Sequence, residues 1–486
     1  TQCHARRGDE AARLAFLARV LSSPPALNRI FGSRPLRVAV TGLSGSGKTA
    51  FITSIIENLI AAAAKPTRLP FLCAAAEGRL VAVRAIGAGD DPGAIFPLRE
   101  IFAALAADPP QWPASTTDLR RADLSVRFHP SRLLALANPL AHLAGRTVDV
   151  TLQIIDYPGE WLLDLPLLHQ SYQHWSRMTL EQAARGVRAR LAQDWLAFLD
   201  RHPSHSRSDA ETAQTAHELY RAYLLACRSR EQLTLLQPGR FLNPGKASDN
   251  VNLAFCPMPA TSGIKTPAGS LAAVMEARFE AYKRDVVRPF FVQLARDIDR
   301  QIVLVDVLRA LNAGPEAFAD QRRSLEGILH AFRFGRGGLL RRWFGARIDR
   351  VLFAATKADH VPALQRDHLE ALMSDMVSAP ALRAEQARSR VAATALASVR
   401  CTEDSSDEIN GRKVDVVVGV PQSGNRRIHF FPGVVPMRAP PDGFWGDRFT
   451  EFPVFQPPQV RHFNSDGIPH INLDKAINFL LEDVLV

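Results

Sequence analysis

Residues 36–41 (LRVAVT) form a short apolar run that stops at a glycine-rich stretch, and apolar positions then recur at helical spacing over 50–59. The pattern predicts strand, loop and helix. Residues 148–155 (VDVTLQII) alternate apolar and polar and end wholly apolar, which predicts a second strand. Residues 301–308 (QIVLVDVL), 350–355 (RVLFAA) and 391–401 (VAATALASVRC) predict three more. Between the second and third strands, residues 179–200, 210–230 and 269–299 carry apolar residues every three to four positions and predict helices. The loop QPGRFLNPG (237–245) interrupts them. A basic helix is expected within 10–31, a hairpin over 410–436 with strands 413–420 and 426–435, and a C-terminal helix over 474–484. Strands separated by helices predict an α/β fold with a mostly parallel sheet and flanking helices. The expected division is an N-terminal helical segment (1–34), the first part of the sheet domain (35–164), a helical insertion (165–300) and the remainder of the sheet domain (301–486).

Composition narrows the class. The chain has 486 residues, 47% hydrophobic and 22% charged, with 29 Gly and 33 Pro, which excludes collagen-like, coiled-coil and wholly disordered chains. The longest apolar stretches, 59–64 and 71–76, are cut by Lys65, Pro66 and Arg68, well short of the ~18 residues a membrane span needs. Five dispersed cysteines without CxxC spacing fit a reducing cytosol, although a chain beginning at Thr1 leaves room for a removed leader. The net charge of +10 is modest for this length, so nucleic acid is not an expected partner. Residues 331–350 concentrate arginine and aromatics and could face an anionic membrane or RNA, but a solvated loop is preferred. Only eight of the basic residues are lysines, against 51 arginines, and two of those lysines fall in the chain's most informative motifs.

The first is Gly42-Leu43-Ser44-Gly45-Ser46-Gly47-Lys48-Thr49, a GxxxxGK[ST] pattern between strand and helix. Such a loop can wrap a phosphate with inward N–H groups from Ser44 to Ala50, helped by the helix N-terminus. Lys48 would reach the β- and γ-phosphates, and the Thr49 hydroxyl would ligate Mg²⁺. The second is Asp156-Tyr157-Pro158-Gly159 at the end of strand 148–155, a DxxG pattern. There Asp156 would hold Mg²⁺ through water, and the Gly159 N–H would sense a γ-phosphate. Glu160 stands where Ras-like proteins carry a water-orienting Gln; a catalytic carboxylate and a helix-starting residue are both open readings.

The third motif is Thr356-Lys357-Ala358-Asp359, the [NT]KxD pattern of guanine readers. The Asp359 carboxylate would accept from the N1–H and N2–H₂ edge of guanine, and the Lys357 stem would lie over the ring. Ser398-Val399-Arg400 or Thr394-Ala395-Leu396 would supply the N–H that reads guanine O6, with a plain core strand as the alternative. Thr116, in the hydroxyl-rich stretch 112–119, is the expected final Mg²⁺ ligand, with a helix cap at Ser115, Thr116 or Thr117 as the alternative.

In the order GLSGSGKT, WPAST, DYPGEWLLDLP, QPGRFLNPG, AATKADH and FFPGVVP, the chain resembles the YcjX-like family of stress-associated bacterial P-loop GTPases, from about residue 10 onward. The resemblance implies a Ras-like P-loop domain with a large helical insertion, GTP/GDP and Mg²⁺ as ligands, and slow hydrolysis. It carries the nucleotide-binding set through His360 of AATKADH. It also implies a cytoplasmic stress-response role, peripheral to the inner membrane, with a protein effector it does not identify. Two rival readings remain: a GTP-binding scaffold with little turnover, and a P-loop ATPase or kinase in which TKAD is incidental.

Overall fold

A computed structural model describes residues 34–43, 45–86, 95–113, 118–131, 147–243, 254–260, 267–331, 348–385, 390–445, 452–460 and 466–485. The expected helix within 10–31 and nearly all of the arginine-rich stretch 331–350 lie outside them. The main sheet has seven strands: β1 (Leu36–Gly42), β2 (Leu80–Ile86), β3 (Arg120–Phe128), β4 (Val148–Asp156), β5 (Arg300–Val305), β6 (Arg350–Ala355) and β7 (Arg390–Ala395). Their order is β2-β3-β4-β1-β5-β6-β7. β3 runs antiparallel to both of its neighbours, and the other strands share one direction. Every residue of β5 and β6 is buried, which explains their continuous apolar sequence, because helices cover both faces of a parallel sheet.

One face packs against α1 (Lys48–Ala64) and the C-terminal helix, whose Leu473, Ile477 and Leu480 join Phe51, Ile52 and Ile55 in one apolar cluster. α2 (Leu98–Ala106) sets Phe102 and Leu105 against Val399 in the loop after β7. The helices between β4 and β5 are α3 (Tyr172–Ala183), α4 (Gly186–Leu191), α5 (Gln193–Arg201), α6 (Ala210–Arg230), α7 (Leu271–Tyr282) and α8 (Arg288–Asp297). α9 (Val307–Ala313) and α10 (Pro315–Ala331) lead from β5 toward β6, α11 (Arg366–Glu385) leads to β7, and α12 (Leu473–Leu481) is the C-terminal helix. Buried aromatics hold the helical layer: Trp175 stacks on Phe279 at 5.2 Å and Trp195 on Tyr223 at 5.3 Å. These rings belong to the same apolar cluster as Val303, Val305 and Phe353 of the sheet, so one core runs through both.

Several boundaries differ from the sequence-based expectation. The helix expected over 179–200 is α3, α4 and α5, broken where Gly186 takes φ +51°. The helix over 269–299 contains a π-helical segment, Lys283–Val287, just before Pro289, whose ring and missing N–H cannot continue α-helical bonding. The strand over 301–308 ends at Val305, because Asp306 caps α9 by accepting from the Arg309 N–H at 3.1 Å. The hairpin is a three-stranded sheet, β10-β9-β8, formed by β8 (Glu403–Ile409), β9 (Arg412–Gly419) and β10 (Ile428–Phe430). Asn410 and Gly411, at φ +53° and +74°, join β8 to β9 rather than merely preceding a strand. β8 (EDSSDEI) has no apolar alternation because all seven of its residues are exposed.

The segment after β4, Gly159–His169, is a buried 3₁₀ helix. It is strapped to the loop at 237–243 of the helical layer. Asp164 accepts from the Gly239 N–H at 2.7 Å, the Arg240 N–H at 3.3 Å and the Tyr282 hydroxyl at 2.5 Å. A Cβ on Gly239 would collide with the Glu160 carbonyl oxygen, so the two backbones touch. The Arg240 guanidinium lies 3.6 Å from the Trp161 ring centre, and Trp161 Nε1 donates to the Asn243 carbonyl at 2.8 Å.

At the amino ends of the strands, Arg300 and Arg350 pair in register at the starts of β5 and β6. Two adjacent buried guanidinium groups repel unless carboxylates separate them. Asp483 does so, 2.6 Å from Arg300 and 3.1 Å from Arg350, with Asp349 and Glu482 completing the set. Asp483→Ala is expected to lower unfolding free energy by about 3 kcal/mol in urea titration, whereas an unchanged midpoint would show the network to be dispensable.

Burial raises the Asp164 pKa from 3.8 to about 6, opposed by the Tyr282, Gly239 and Arg240 donors. A raised folded-state pKa stabilises fully below the unfolded value and loses that contribution as pH rises through about 6. Relative to Asp164→Asn, the unmodified chain should therefore gain about 1 kcal/mol of stability between roughly pH 7.5 and pH 5, and parallel pH profiles would refute the assignment.

Candidate functional site

The chain goes from β1 outward to β2, returns through β3 and β4, and crosses to β5, so strand order reverses at β1. A crevice outside the carboxyl ends of the strands at such a reversal is the expected ligand position in an open α/β sheet. The loops after β1, β5, β6 and β7 line one cleft of about 730 Å³ there, within the range of small-molecule sites. Glu160, from the segment after β4, lines it as well.

The β1 loop is shaped by its glycines. Gly45 and Gly47 adopt φ +82° and +81°, which L side chains rarely adopt. A Cβ on Gly42 would lie 2.7 Å from the Leu304 carbonyl oxygen, and one on Gly159 would lie 2.7 Å from the Gly42 carbonyl carbon. The loops after β1 and β4 therefore meet backbone to backbone, beside β5. Lys48 Nζ donates to the Gly42 carbonyl at 2.9 Å, folding its side chain back along the loop. Lys48, Thr49 and Ala50 begin α1, whose first turn contains no acid, so its N-terminal N–H groups keep their positive potential. Ser46 Oγ is buried and has no hydrogen-bond partner among the described residues. Asp156 ends β4 and is 1% exposed, opposite Arg120 in register. Ser44 and Thr116 lie outside the described residues.

The β6 loop forms the other end. Thr356 is buried, and its hydroxyl donates to the Val305 carbonyl at 3.3 Å, bracing the loop against β5. Lys357 takes φ +60° and places Nζ 2.6 Å from Asp306. Asp359 is 2% exposed and accepts from the Cys401 N–H at 2.8 Å, while the Thr402 hydroxyl donates to the Asp359 carbonyl. These bonds tie the β6 loop to the β7 loop. Ser398 and Val399 line the cleft, and the Ser54 hydroxyl of α1 holds the Ser398 carbonyl at 2.5 Å. Of the two stretches proposed after β7, 398–400 lies in the loop, whereas Thr394 and Ala395 are the last residues of the strand. The Arg400 side chain turns away to the Thr402 carbonyl and Asp404. His360 is buried against Phe455 and Phe452 at 5.2 and 6.4 Å, and burial lowers its pKa. Trp112 also lines this end and donates to the Phe455 carbonyl at 2.8 Å.

Several lining residues carry no motif: Asp306, Arg309, Gln232, Phe452 and Phe455, whereas Trp112 opens the WPAST stretch. Asp306 had a local signal, an acid at the junction of an apolar strand and a helix; the others are brought in by distant chain segments. Gln232 stands at φ +56° in a segment fixed by Asp320, which accepts from the N–H groups of Thr234 and Leu235 and pairs with Arg188 at 2.8 Å.

The chain is also similar to named proteins over most of its length. A model of the YcjX-like family, DUF463, matches residues 36–485. The Ras-like GTPase YcjX of Escherichia coli (strain K12) is 36% identical over 458 residues, covering 93% of this chain and 96% of that protein. The Ras-like GTPase YcjX of Shewanella oneidensis (strain ATCC 700550) is 33% identical over 467 residues, covering 93% of this chain and 95% of that protein. This chain belongs to the YcjX-like family.

Proposed function

We propose that the protein is a Ras-like P-loop GTPase that binds GTP and GDP and slowly hydrolyses GTP to GDP and phosphate. The observation that carries this reading is the shared cleft. Lys48 and Thr49 stand at one end of it and Asp359 at the other, on loops bonded to one another through Thr356, Ser398 and Cys401. Both relatives bear the name Ras-like GTPase, which supports the same class.

In this reading the N–H groups from Ser44 to Ala50 cradle the β-phosphate, and Lys48 exchanges the Gly42 carbonyl for phosphate oxygens. The positive-φ glycines and the buried Ser46 hydroxyl fit a polyanion in that loop. Mg²⁺ would be held by Thr49, Thr116 and, through water, Asp156, and would neutralise β/γ-phosphate charge. Asp359 selects guanine by accepting from two ring-edge donors that adenine lacks, while Thr356, Lys357 and His360 hold that loop. The Ser398-Val399-Arg400 loop contributes backbone at the base. Gly159 registers the γ-phosphate through its N–H, and Trp161 and Asp164 pass any shift to the loop at 237–243. The helical layer is thus the output face of a cytoplasmic stress-related switch toward a protein effector.

Glu160 favours slow turnover. The residue is 3% exposed and its carbonyl touches Gly239, so an acid side chain, not the amide of Ras-like proteins, is held in a tightly packed segment. A scaffold with almost no turnover is the second reading on this observation. Single-turnover measurement with Mg²⁺ decides: phosphate release above background is expected, and none would select the scaffold.

Asp359→Asn is expected to weaken GDP binding roughly 10- to 100-fold, the worth of one charge-assisted contact, and to shift preference toward xanthine nucleotides. Competition by ATP as strong as that by GTP at the unmodified protein would end the guanine reading.

A further inference from the structure

We propose that Arg309 acts in cis on the bound nucleotide, its guanidinium taking up the negative charge that develops on the phosphates during hydrolysis. The inference rests on the guanine-nucleotide reading of the cleft. Arg309 lies in the first turn of α9, directly beyond β5, where its backbone is held by the Asp306 cap at 3.1 Å. A Cβ on Gly45 would collide with Arg309 Nη1 and would lie 3.6 Å from Cζ, so the guanidinium lies over the glycine loop. Arg309 lines the main cleft with Lys48 and Thr49. It also lines the smaller hollow between that loop and Glu160.

The electrostatics of the position point to an anionic ligand. Lys48, the N-terminus of α1 and Arg309 converge on one loop, and such a concentration of positive charge is unfavourable unless an anion joins it. The carboxylate at the start of its own helix, Asp306, is engaged by Lys357 at 2.6 Å. The Arg309 side chain has no hydrogen-bond or ion-pair partner among the described residues. Arg309 is exposed to the cleft, unlike the buried Arg188, Arg300 and Arg350, each of which meets a carboxylate within 3.1 Å. A planar fork of donors suits phosphate oxygens bidentately, which a lysine cannot reproduce.

In hydrolysis a water oxygen bonds to the γ-phosphorus. The bond from that phosphorus to the β–γ bridging oxygen breaks, and its electron pair stays on the departing GDP. The water's protons pass to the released phosphate and to solvent. Arg309 gives up no proton, because a guanidinium stays charged; it stabilises the oxygen that gains charge. Asp306 then links the two ends of the cleft, positioning Lys357 at the base through its carboxylate and Arg309 at the phosphates through its helix cap.

The test compares the full chain with Arg309→Ala and Arg309→Lys, using GDP affinity, single-turnover GTP hydrolysis with Mg²⁺, and retention of GDP with aluminium fluoride as the transition-state probe. Arg309→Ala is expected to hydrolyse at least about 100-fold more slowly, with GDP affinity changed by less than about threefold. It should also lose the fluoride-dependent retention of GDP. Arg309→Lys should recover less than about a tenth of the rate. Melting temperature checks folding, and a side chain with no ion pair among the described residues predicts little change. Hydrolysis by Arg309→Ala within about threefold of the unmodified rate would overturn the proposal. So would intact fluoride-dependent retention in that variant. Guanine-nucleotide binding without turnover by the unmodified chain would overturn it too, leaving the binding reading in place. Failure to bind guanine nucleotide at all would remove both.

Discussion

The contact on which the site depends is the close approach of backbones around Gly42. Gly42 leaves β1 against the Leu304 carbonyl of β5, and Gly159 presses on Gly42 from the segment after β4. Side chains would hold these loops apart, so both positions need glycine. The packing leaves the first N–H groups of α1 at the mouth of the crevice with Lys48 curled across it. A shift of the loop after β4 cannot leave the loop after β1 undisturbed.

From that junction two lines of contact run outward. One goes through Glu160 and Trp161 to Gly239, Arg240 and Asp164, where a buried carboxyl group with three donors joins the 3₁₀ segment to the helical layer. The other goes through Asp306, whose two oxygens serve different elements: Oδ1 caps α9 and Oδ2 holds Lys357. The loop after β6 and the start of α9 thus share one carboxylate just beyond β5. The helical layer is also bound to the sheet by a single apolar cluster, so motion at the loop after β4 would be felt in its packing.

The amino-acid sequence by itself determined the chemistry of the loops and the buried strands that carry them. A glycine loop between strand and helix is built from backbone conformations, so its requirements are local and leave a contiguous pattern from Gly42 to Thr49. β5 and β6 were legible because burial on both faces demands unbroken apolar runs. Helix ends were less legible: the breaks at Gly186 and before Pro289 depend on local backbone geometry that apolar spacing does not register. Only the tertiary structure decided which distant side chains close the cleft. β8 escaped because solvent-facing positions need no apolar alternation, and β2 is an edge strand; β3, inside the sheet, does alternate at Leu124, Val126 and Phe128. Arg309 over Gly45, Gln232 beside Glu160, and Trp112 bonded to Phe455 join segments far apart in the chain. Such contacts follow from packing one face of the sheet against another layer, and that information is distributed over the whole core rather than written in any one stretch.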